Sequence, residues 1–253
     1  MFIEERHQKI IEIIESKSRV TVKELVEQFQ LNEMTIRRDL LELEKSGLLQ
    51  RVHGGAICVR GRSYEPPFIK RSLDKQNEKE KIGVKAAELI NDGDSIALDV
   101  GSTTIEIANN LKGKTNLTIL TPSVRIANIL ADNPNIRIIC TGGILRPSEH
   151  SLIGDLAISA INNFYVDKLF LGMGGVDFEA GLTEYNLDDS QVKKALIQKA
   201  KEVILVTDSS KFNKVAFTFV APIKAVSRIV TDSKIDNETA RRLKEVNIEV
   251  IIA

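Results

Sequence analysis

The stretch TVKELVEQFQLNEMTIRRDLLELEKSG, residues 21–47, decides how the first part of this chain folds. Thr21 can cap a helix. Glu24, three residues on, completes a capping box, and Val22, Leu25, Val26 and Phe29 form the buried side of the helix that follows. The tight connection Gln30-Leu31 leads to Asn32, a good N-cap, and to a helix whose Ile36, Leu40 and Leu43 at i, i+4 and i+7 face inward until Gly47 ends it. Upstream, Ile10, Ile11 and Ile14 stripe one face of residues 4–17, which reads as an amphipathic first helix. Two short helices joined by a tight turn behind a packing helix make a helix-turn-helix. Its last helix, here Glu33 to Ser46, is the one that enters a DNA major groove.

With the apolar stripe turned inward, Thr35, Arg37 and Arg38 are left on the exposed N-terminal part of that helix, where arginine forks suit guanine edges and phosphate oxygens. Leu48 to Val52 reads as a strand and His53-Gly54-Gly55-Ala56 as a tight turn into a second strand, together a winged hairpin. The residues expected to face DNA are Thr21, Glu33, Met34, Thr35, Arg37, Arg38, Arg51, His53 and Gly54. Residues 1–56 hold nine Lys/Arg against ten Asp/Glu, so any phosphate-contacting edge has to come from local clustering at Arg37, Arg38, Arg51, Arg60 and Arg62.

The totals are those of an ordinary soluble chain with one or two packed cores. It has 253 residues, 43% hydrophobic and 28% charged, and 35 basic residues balance 35 acidic ones. Cys58 and Cys140 stand alone, which fits a reducing compartment and offers no disulfide framework or paired-thiolate metal motif. His7, His53 and His150 are scattered, so neither a metal nor another cofactor is expected. The charged start, Ile3-Glu4-Glu5-Arg6, and the absence of a run of ~18 apolar residues point to the cytoplasm with no membrane partner.

Residues 57 to 76, with Gly61, Pro66 and Pro67, read as a linker, and the domains are placed at 1–57, 58–76 (linker) and 77–253. Ile82, Ala86, Leu89 and Ile90 stripe a helix that stops at Asn91-Asp92-Gly93-Asp94. Apolar runs then recur, each leading into small or polar residues: Ser95–Val100, Leu117–Leu120, Ile136–Cys140, Lys168–Leu171, Val203–Val206 and Ala225–Val230, with Val246–Ile252 as a last strand. Helical stretches at 103–111, 123–132, 154–163, 188–200 and 236–245 alternate with them. The expectation is an α/β domain with a mainly parallel sheet covered by helices on both faces.

Small and hydroxyl residues at so many strand ends place a polar crevice along the carboxyl edge of that sheet, where open α/β folds bind ligands. Gly101-Ser102-Thr103-Thr104 lies between a strand and a helix, so its N–H groups and hydroxyls can surround a phosphate at the positive end of a helix dipole. Asp99 ends an apolar strand and needs hydrogen bonds there, to neighbouring N–H groups or to ligand hydroxyls, while Lys211 can pair with a phosphate or cap a loop.

The run Met34-Thr35-Ile36-Arg37-Arg38-Asp39-Leu40, followed by Leu49-Gln50-Arg51-Val52-His53-Gly54-Gly55-Ala56, resembles the signature of DeoR-type bacterial regulators. The resemblance continues through Leu98 to Thr104, Thr141-Gly142-Gly143, Gly172 to Asp177, Gly181-Leu182-Thr183 and Asp208 to Phe212, nearly the whole chain. It implies a sensor domain similar in fold to ribose-5-phosphate isomerase, binding a phosphorylated sugar or related metabolite, in a repressor released from double-stranded operator DNA by that ligand; operators with repeated half-sites add the expectation of a homo-oligomer. The effector residues it implies, with the crevice reading, are Asp99, Gly101, Ser102, Thr103, Thr104, Thr121, Ser123, Gly142, Gly143, Arg146, Gly174, Gly175 and Lys211. Two positions depart from the family pattern: Asn32 stands for the usual Ser, and Pro122 stands where Asn is common and offers neither N–H nor amide.

Two other readings compete. A sugar-phosphate isomerase would use Asp99 or Glu184 as base and Lys211 as charge stabiliser, but it has no use for a winged helix-turn-helix, and fold kinship does not carry activity. A DNA-binding protein with a non-sensing oligomerisation domain would not need the hydroxyl-lined strand ends.

Overall fold

The computed structural model describes residues 3–17, 19–46, 48–57 and 61–253. The chain divides between Tyr64 and Glu65 into two units with separate cores. The expectations placed on Gly47, Cys58 and Arg60 fall outside the described residues.

The first unit runs α1 (Ile3–Lys17), β1 (Arg19–Thr21), α2 (Val22–Phe29), α3 (Glu33–Lys45), β2 (Gln50–Val52) and β3 (Gly55–Ile57). Thr21 caps α2 through a full capping box: its Oγ1 accepts from the Glu24 N–H at 3.2 Å and its own N–H donates to Glu24 Oε2 at 2.7 Å. Asn32 Oδ1 accepts from the Thr35 N–H at 2.8 Å and starts α3. Ile10, Ile14, Leu25, Ile36 and Leu40 meet in the core, as their spacing predicts. β1 has no counterpart in the sequence reading, because three residues are too few to show an alternation. It pairs antiparallel with β3, so the wing is a three-stranded sheet ordered β1-β3-β2.

The two wing glycines do different work. Gly54 turns the hairpin at φ 80°, while a Cβ on Gly55 would lie 2.1 Å from the Val20 carbonyl oxygen, so Gly55 lets β1 reach β3. The buried Asp39 of α3 accepts a two-pronged bond from Arg6 of α1, at 2.6 Å from Nε and 2.9 Å from the second guanidinium nitrogen. Burial works against that carboxylate. Arg6 and His7 outweigh it and hold its pKa below the ordinary carboxylate value.

The second unit opens with α4 (Phe68–Leu73), a helix inside the stretch read as linker, and α5 (Gln76–Ala87). There follow β4 (Ser95–Leu98), α6 (Ser102–Asn109), β5 (Leu117–Thr121), α7 (Val124–Leu130), β6 (Ile136–Cys140), the antiparallel hairpin β7 (Ile144–Arg146) and β8 (Ser151–Ile153), and α8 (Asp155–Asn162). Next come β9 (Val166–Leu171), β10 (Gly175–Asp177), β11 (Gly181–Glu184), α9 (Leu187–Lys199), β12 (Ala200–Val206), β13 (Thr218–Ala221), β14 (Arg228–Thr231), α10 (Asn237–Glu245) and β15 (Glu249–Ile252).

The seven-stranded sheet is parallel throughout, in the order β15-β14-β12-β9-β4-β5-β6. Its side chains alternate between two cores. Ile96, Leu98, Phe170, Ile204 and Val206 face α5, α6 and α7, whereas Ala97, Leu169, Leu171, Val203 and Leu205 face α8, α9 and the small antiparallel sheet β10-β11-β13. From β4 the chain winds outward to β6, then returns to lay β9 on the other side of β4. The topological switch, where open parallel sheets leave a crevice, therefore sits at the carboxyl ends of β4 and β9.

Candidate functional site

Two surfaces carry chemistry, one in each unit. In the first unit, α3 exposes Met34, Arg37 and Arg38, and β2 exposes Arg51. Each arginine rests on a glutamate of its own unit: Arg37 Nε on Glu33 at 3.0 Å, Arg38 Nε on Glu42 at 3.4 Å and Arg51 Nε on Glu44 at 2.7 Å. Ion pairs this exposed are worth roughly 0–1 kcal/mol, so a DNA phosphate or base edge can displace the carboxylate. His53 and Gly54 form the exposed wing tip. Thr21 and Thr35 are half-buried and spend their hydroxyls on the helix starts, donating to Glu24 and Asn32.

In the second unit a cavity of about 60 Å³ opens at the switch point. Val100, Gly101, Ser102 and Thr103 enter from behind β4, Gly172, Met173 and Gly174 from behind β9, and Thr207, Asp208 and Lys211 from behind β12. Gly101 precedes α6 with φ 151°, a conformation that side-chain-bearing residues rarely adopt, and supplies no capping side chain. The first N–H groups of α6 have no carbonyl within the helix to pair with and are left at the cavity wall.

Two ammonium groups, those of Lys79 and Lys211, line the cavity. Lys79 of α5 is buried and donates from Nζ to the carbonyls of Arg71 and Asp74. The Lys211 ammonium makes no hydrogen bond or ion pair among the described residues, its backbone N–H alone donating, to the Asp208 carbonyl at 3.1 Å, and neither lysine has a carboxylate within ion-pair distance among them. Burial, with the charges of Lys211 and Arg71, pushes the Lys79 pKa down although Asp208 and Asp74 pull it up.

The remaining charged groups of the lining are internally compensated. Lys193 of α9, itself buried, is paired with Asp99 and lies 3.3 Å from Glu184 and 2.9 Å from the Gly172 carbonyl. Burial raises the Asp99 pKa to about 6 in spite of that ammonium. Burial also opposes the Lys193 charge, but Asp99, Glu184 and Asp189 outweigh it and hold its pKa above the ordinary lysine value. Arg71 is paired with Glu149 and lies 3.3 Å from Glu65, while Arg146 bridges Glu65 at 2.9 Å and Asp189 at 2.6 Å. Tyr185 completes the lining, its hydroxyl donating to the Gly174 carbonyl at 3.2 Å.

A helix-turn-helix with its wing, followed by an α/β unit with a cavity at its switch point, is matched in sequence as well. The DeoR-like helix-turn-helix domain matches residues 6–61 and the DeoR C terminal sensor domain matches residues 74–233. The chain belongs to the DeoR family of DNA-binding transcriptional regulators.

Its relatives match along almost their full length. The glycerol-3-phosphate regulon repressor of Escherichia coli K12 is 36% identical over 229 residues, covering 90% of each chain. The regulator GolR of Listeria innocua is 32% identical with 100% of both chains covered, and the putative aga operon transcriptional repressor of Escherichia coli O157:H7 is 32% identical, covering 98% of this chain and 93% of that one. Ribose 5-phosphate isomerase A from Methanocaldococcus jannaschii superposes with a TM-score of 0.41 at 19% identity, over 55% of each chain, too loosely to carry function.

Of the residues expected to meet an effector in this DeoR-family chain, Gly101, Ser102, Thr103, Gly174 and Lys211 line the cavity. The other eight do not, each for a structural reason. Asp99 lies behind the wall, fully buried, and its Oδ2 accepts from the Gly172 N–H at 3.1 Å as well as from Lys193. Thr104 donates to the Gly101 carbonyl at 2.9 Å, and Thr121 to the Leu98 carbonyl at 2.7 Å. Ser123 caps α7 through the Ile126 N–H at 3.2 Å. Gly142 and Gly143 form an exposed turn before β7, Gly175 is paired with Thr183 in the small sheet, and Arg146 braces the wall through its two carboxylates. Pro122 does not line the cavity either; its carbonyl accepts from the Leu152 N–H at 2.8 Å, so its missing amide removes no contact there.

The sequence reading missed Glu65, Arg71, Asp74, Lys79, Glu149, Tyr185, Asp189 and Lys193. A signal existed for Lys79, which stands at i of the stripe Ile82, Ala86 and Ile90 (i+3, i+7, i+11), a charge on the buried face of its helix. Lys193, flanked by the buried Val192 and Leu196, carries the same mark.

Proposed function

We propose that this DeoR-family regulator is a repressor that reads double-stranded operator DNA with α3 and its wing and is released by a small phosphorylated sugar or polyol held in the cavity of the second unit. The carrying observation is that Lys79 and Lys211, two ammonium groups without carboxylate partners among the described residues, line the same cavity as the uncapped start of α6. That combination calls for an anion of concentrated charge. The carboxylates of the lining, with Tyr185, offer acceptors for hydroxyl groups. A relative named for the glycerol-3-phosphate regulon agrees with a phosphorylated polyol as ligand class.

Catalysis is not part of this reading. Asp99 and Glu184, the carboxylates a proton-abstracting isomerase would need, are tied to Lys193. Operators with repeated half-sites call for a homo-oligomer, and no helix among the described residues is long and apolar enough to cross a membrane.

Fluorescence anisotropy on DNA from upstream of the protein's own operon, against scrambled DNA at fixed salt, tests the whole reading. Selective binding that one sugar phosphate weakens is the expected result. Selective binding indifferent to every sugar phosphate would remove the effector assignment, and binding equal on both DNAs would remove the operator assignment.

A further inference from the structure

Helix α4 has no apolar reason to stay where it is. It spans six residues, too short to hold itself together in water, and none of its side chains is buried, with Ile69 72% and Leu73 68% exposed. Polar ties fix it instead: the Arg71 pairs with Glu149 and Glu65, the stacking of Arg125 at 4.0 Å over the Phe68 ring, and Lys79. The last tie is the one at the helix end. Nζ of Lys79 donates to the carbonyl of Arg71, in the last turn, and at 2.5 Å to that of Asp74, the C-cap residue, which are groups a helix cannot satisfy internally.

An ammonium has three N–H donors. Two of those on Lys79 go to α4, and the side chain lines the cavity beside Lys211 and the start of α6. α4 also packs directly beside α6. A buried ammonium with only carbonyl partners is incompletely compensated, and a bound anion would supply the missing countercharge.

We propose that Lys79 is a ligand for the anionic group of the effector and that it couples this group to α4: its remaining N–H takes the anion, and the charge so compensated holds the other two N–H groups, and with them the end of α4, in place. The proposal rests on reading the cavity as an anion site. The chain passes directly from Tyr64 into Glu65 and α4, so a helix fastened by the effector is the first element after the DNA-binding unit in sequence. The ligand thus acts on the segment that carries that unit, through one side chain.

Hydrogen exchange resolved by peptide, on the full-length protein with and without saturating inorganic phosphate at matched ionic strength, tests it. In the wild type, exchange slows both at 101–106, the start of α6, and at 68–75, spanning α4. Lys211→Met weakens phosphate about tenfold, the loss of one charge-assisted contact, yet at saturation both segments still slow. Lys79→Met weakens phosphate by a similar factor, and at saturation 101–106 slows while 68–75 does not. Should that variant not fold, Lys79→Gln carries the test: its amide keeps α4 fastened in the unliganded protein but lacks the charge, so phosphate weakens and no longer slows 68–75.

Slowing of 68–75 in either Lys79 variant equal to that in the wild type, or unchanged phosphate affinity in Lys79→Gln, overturns the coupling. Slowing confined to 101–106 in the wild type overturns it as well, while leaving the anion site intact. No slowing at either segment with phosphate or with any sugar phosphate takes down the anion site and this proposal together.

Discussion

Lys193 is one positive charge among three carboxylates, and the balance of that cluster sets a pH dependence. The Asp99 pKa of about 6 lies above its unfolded value of ~3.9. Its proton therefore favours the folded state, a contribution fully present below pH ~4 and lost as pH rises through about 6. Lys193, also raised, contributes stability that persists up to the ordinary lysine range and is lost above it. Between the two ranges the pair is ionised and Lys193 holds Asp99 in place. Lys193→Met should cost about 3 kcal/mol at pH 7.5, the usual order for breaking a buried pair, and less at pH 5.5, where Asp99 can take up a proton. Urea unfolding at both pH values checks this; an equal loss at both would mean that packing and not charge is responsible. Asp39 carries the opposite sign. Its pKa is lowered, so the stability of the Arg6 pair is present above pH ~4 and lost as the carboxylate is protonated at lower pH.

At the scale of elements, caps and stripes were legible and short or tertiary-driven pieces were not. Thr21, Glu24 and Asn32 announce two helix starts because capping is a local matter, and the parallel strands announce themselves as apolar runs because both their faces are buried. β1, the hairpin β7–β8 and the sheet β10-β11-β13 are strands of three or four residues, too short to show an alternation, and β1 and β13 find their partners far away in the chain. α4 escaped for a related reason: Pro66 and Pro67 signal extended chain, and the ties that order the helix come from Glu149, Arg125 and Lys79. The candidate site followed the same division, since the loop Gly101–Thr103 was readable from its composition, whereas of the residues from Glu65 to Lys79 only Lys79 left a mark, its charge on the buried face of α5. The wing gives a sharp test of the two glycine roles. Gly55→Ala should destabilise the first unit by about 2 kcal/mol or more, because the new Cβ meets the Val20 carbonyl, and Gly54→Ala by about 1 kcal/mol through its positive φ alone. Thermal unfolding of the two variants ranks them, and the reverse order would refute the assignment. On α3, Arg37→Ala and Arg38→Ala should each weaken operator binding by roughly 1–3 kcal/mol if they meet bases. A uniform loss on operator and scrambled DNA alike, with a shallower salt dependence, would make them phosphate contacts instead.

For the molecule as a whole, the two units are coupled only to the extent that effector and operator discriminate between the same conformations. Each unit has its own core, one around Ile10, Leu25 and Leu40 and the others on the two faces of the parallel sheet. A ligand that binds only the folded form of one unit should therefore raise the unfolding transition of that unit, by about 2.7 kcal/mol at a hundredfold excess over its Kd. Calorimetry with operator DNA should move the transition of the first unit, and with the sugar phosphate that of the second. Regulation demands more. If the effector lowers operator affinity tenfold, operator DNA must lower effector affinity tenfold, because the coupling free energy belongs to the pair and not to either ligand. Titrating the sugar phosphate into free protein and into the protein–operator complex, and operator into free and liganded protein, closes that cycle. Equal factors around the cycle mean that one conformational equilibrium connects cavity and operator helix. If operator binding falls while effector affinity is the same with and without DNA, the sugar phosphate is acting as a competing polyanion or as salt, and the cavity is not the site through which it releases DNA.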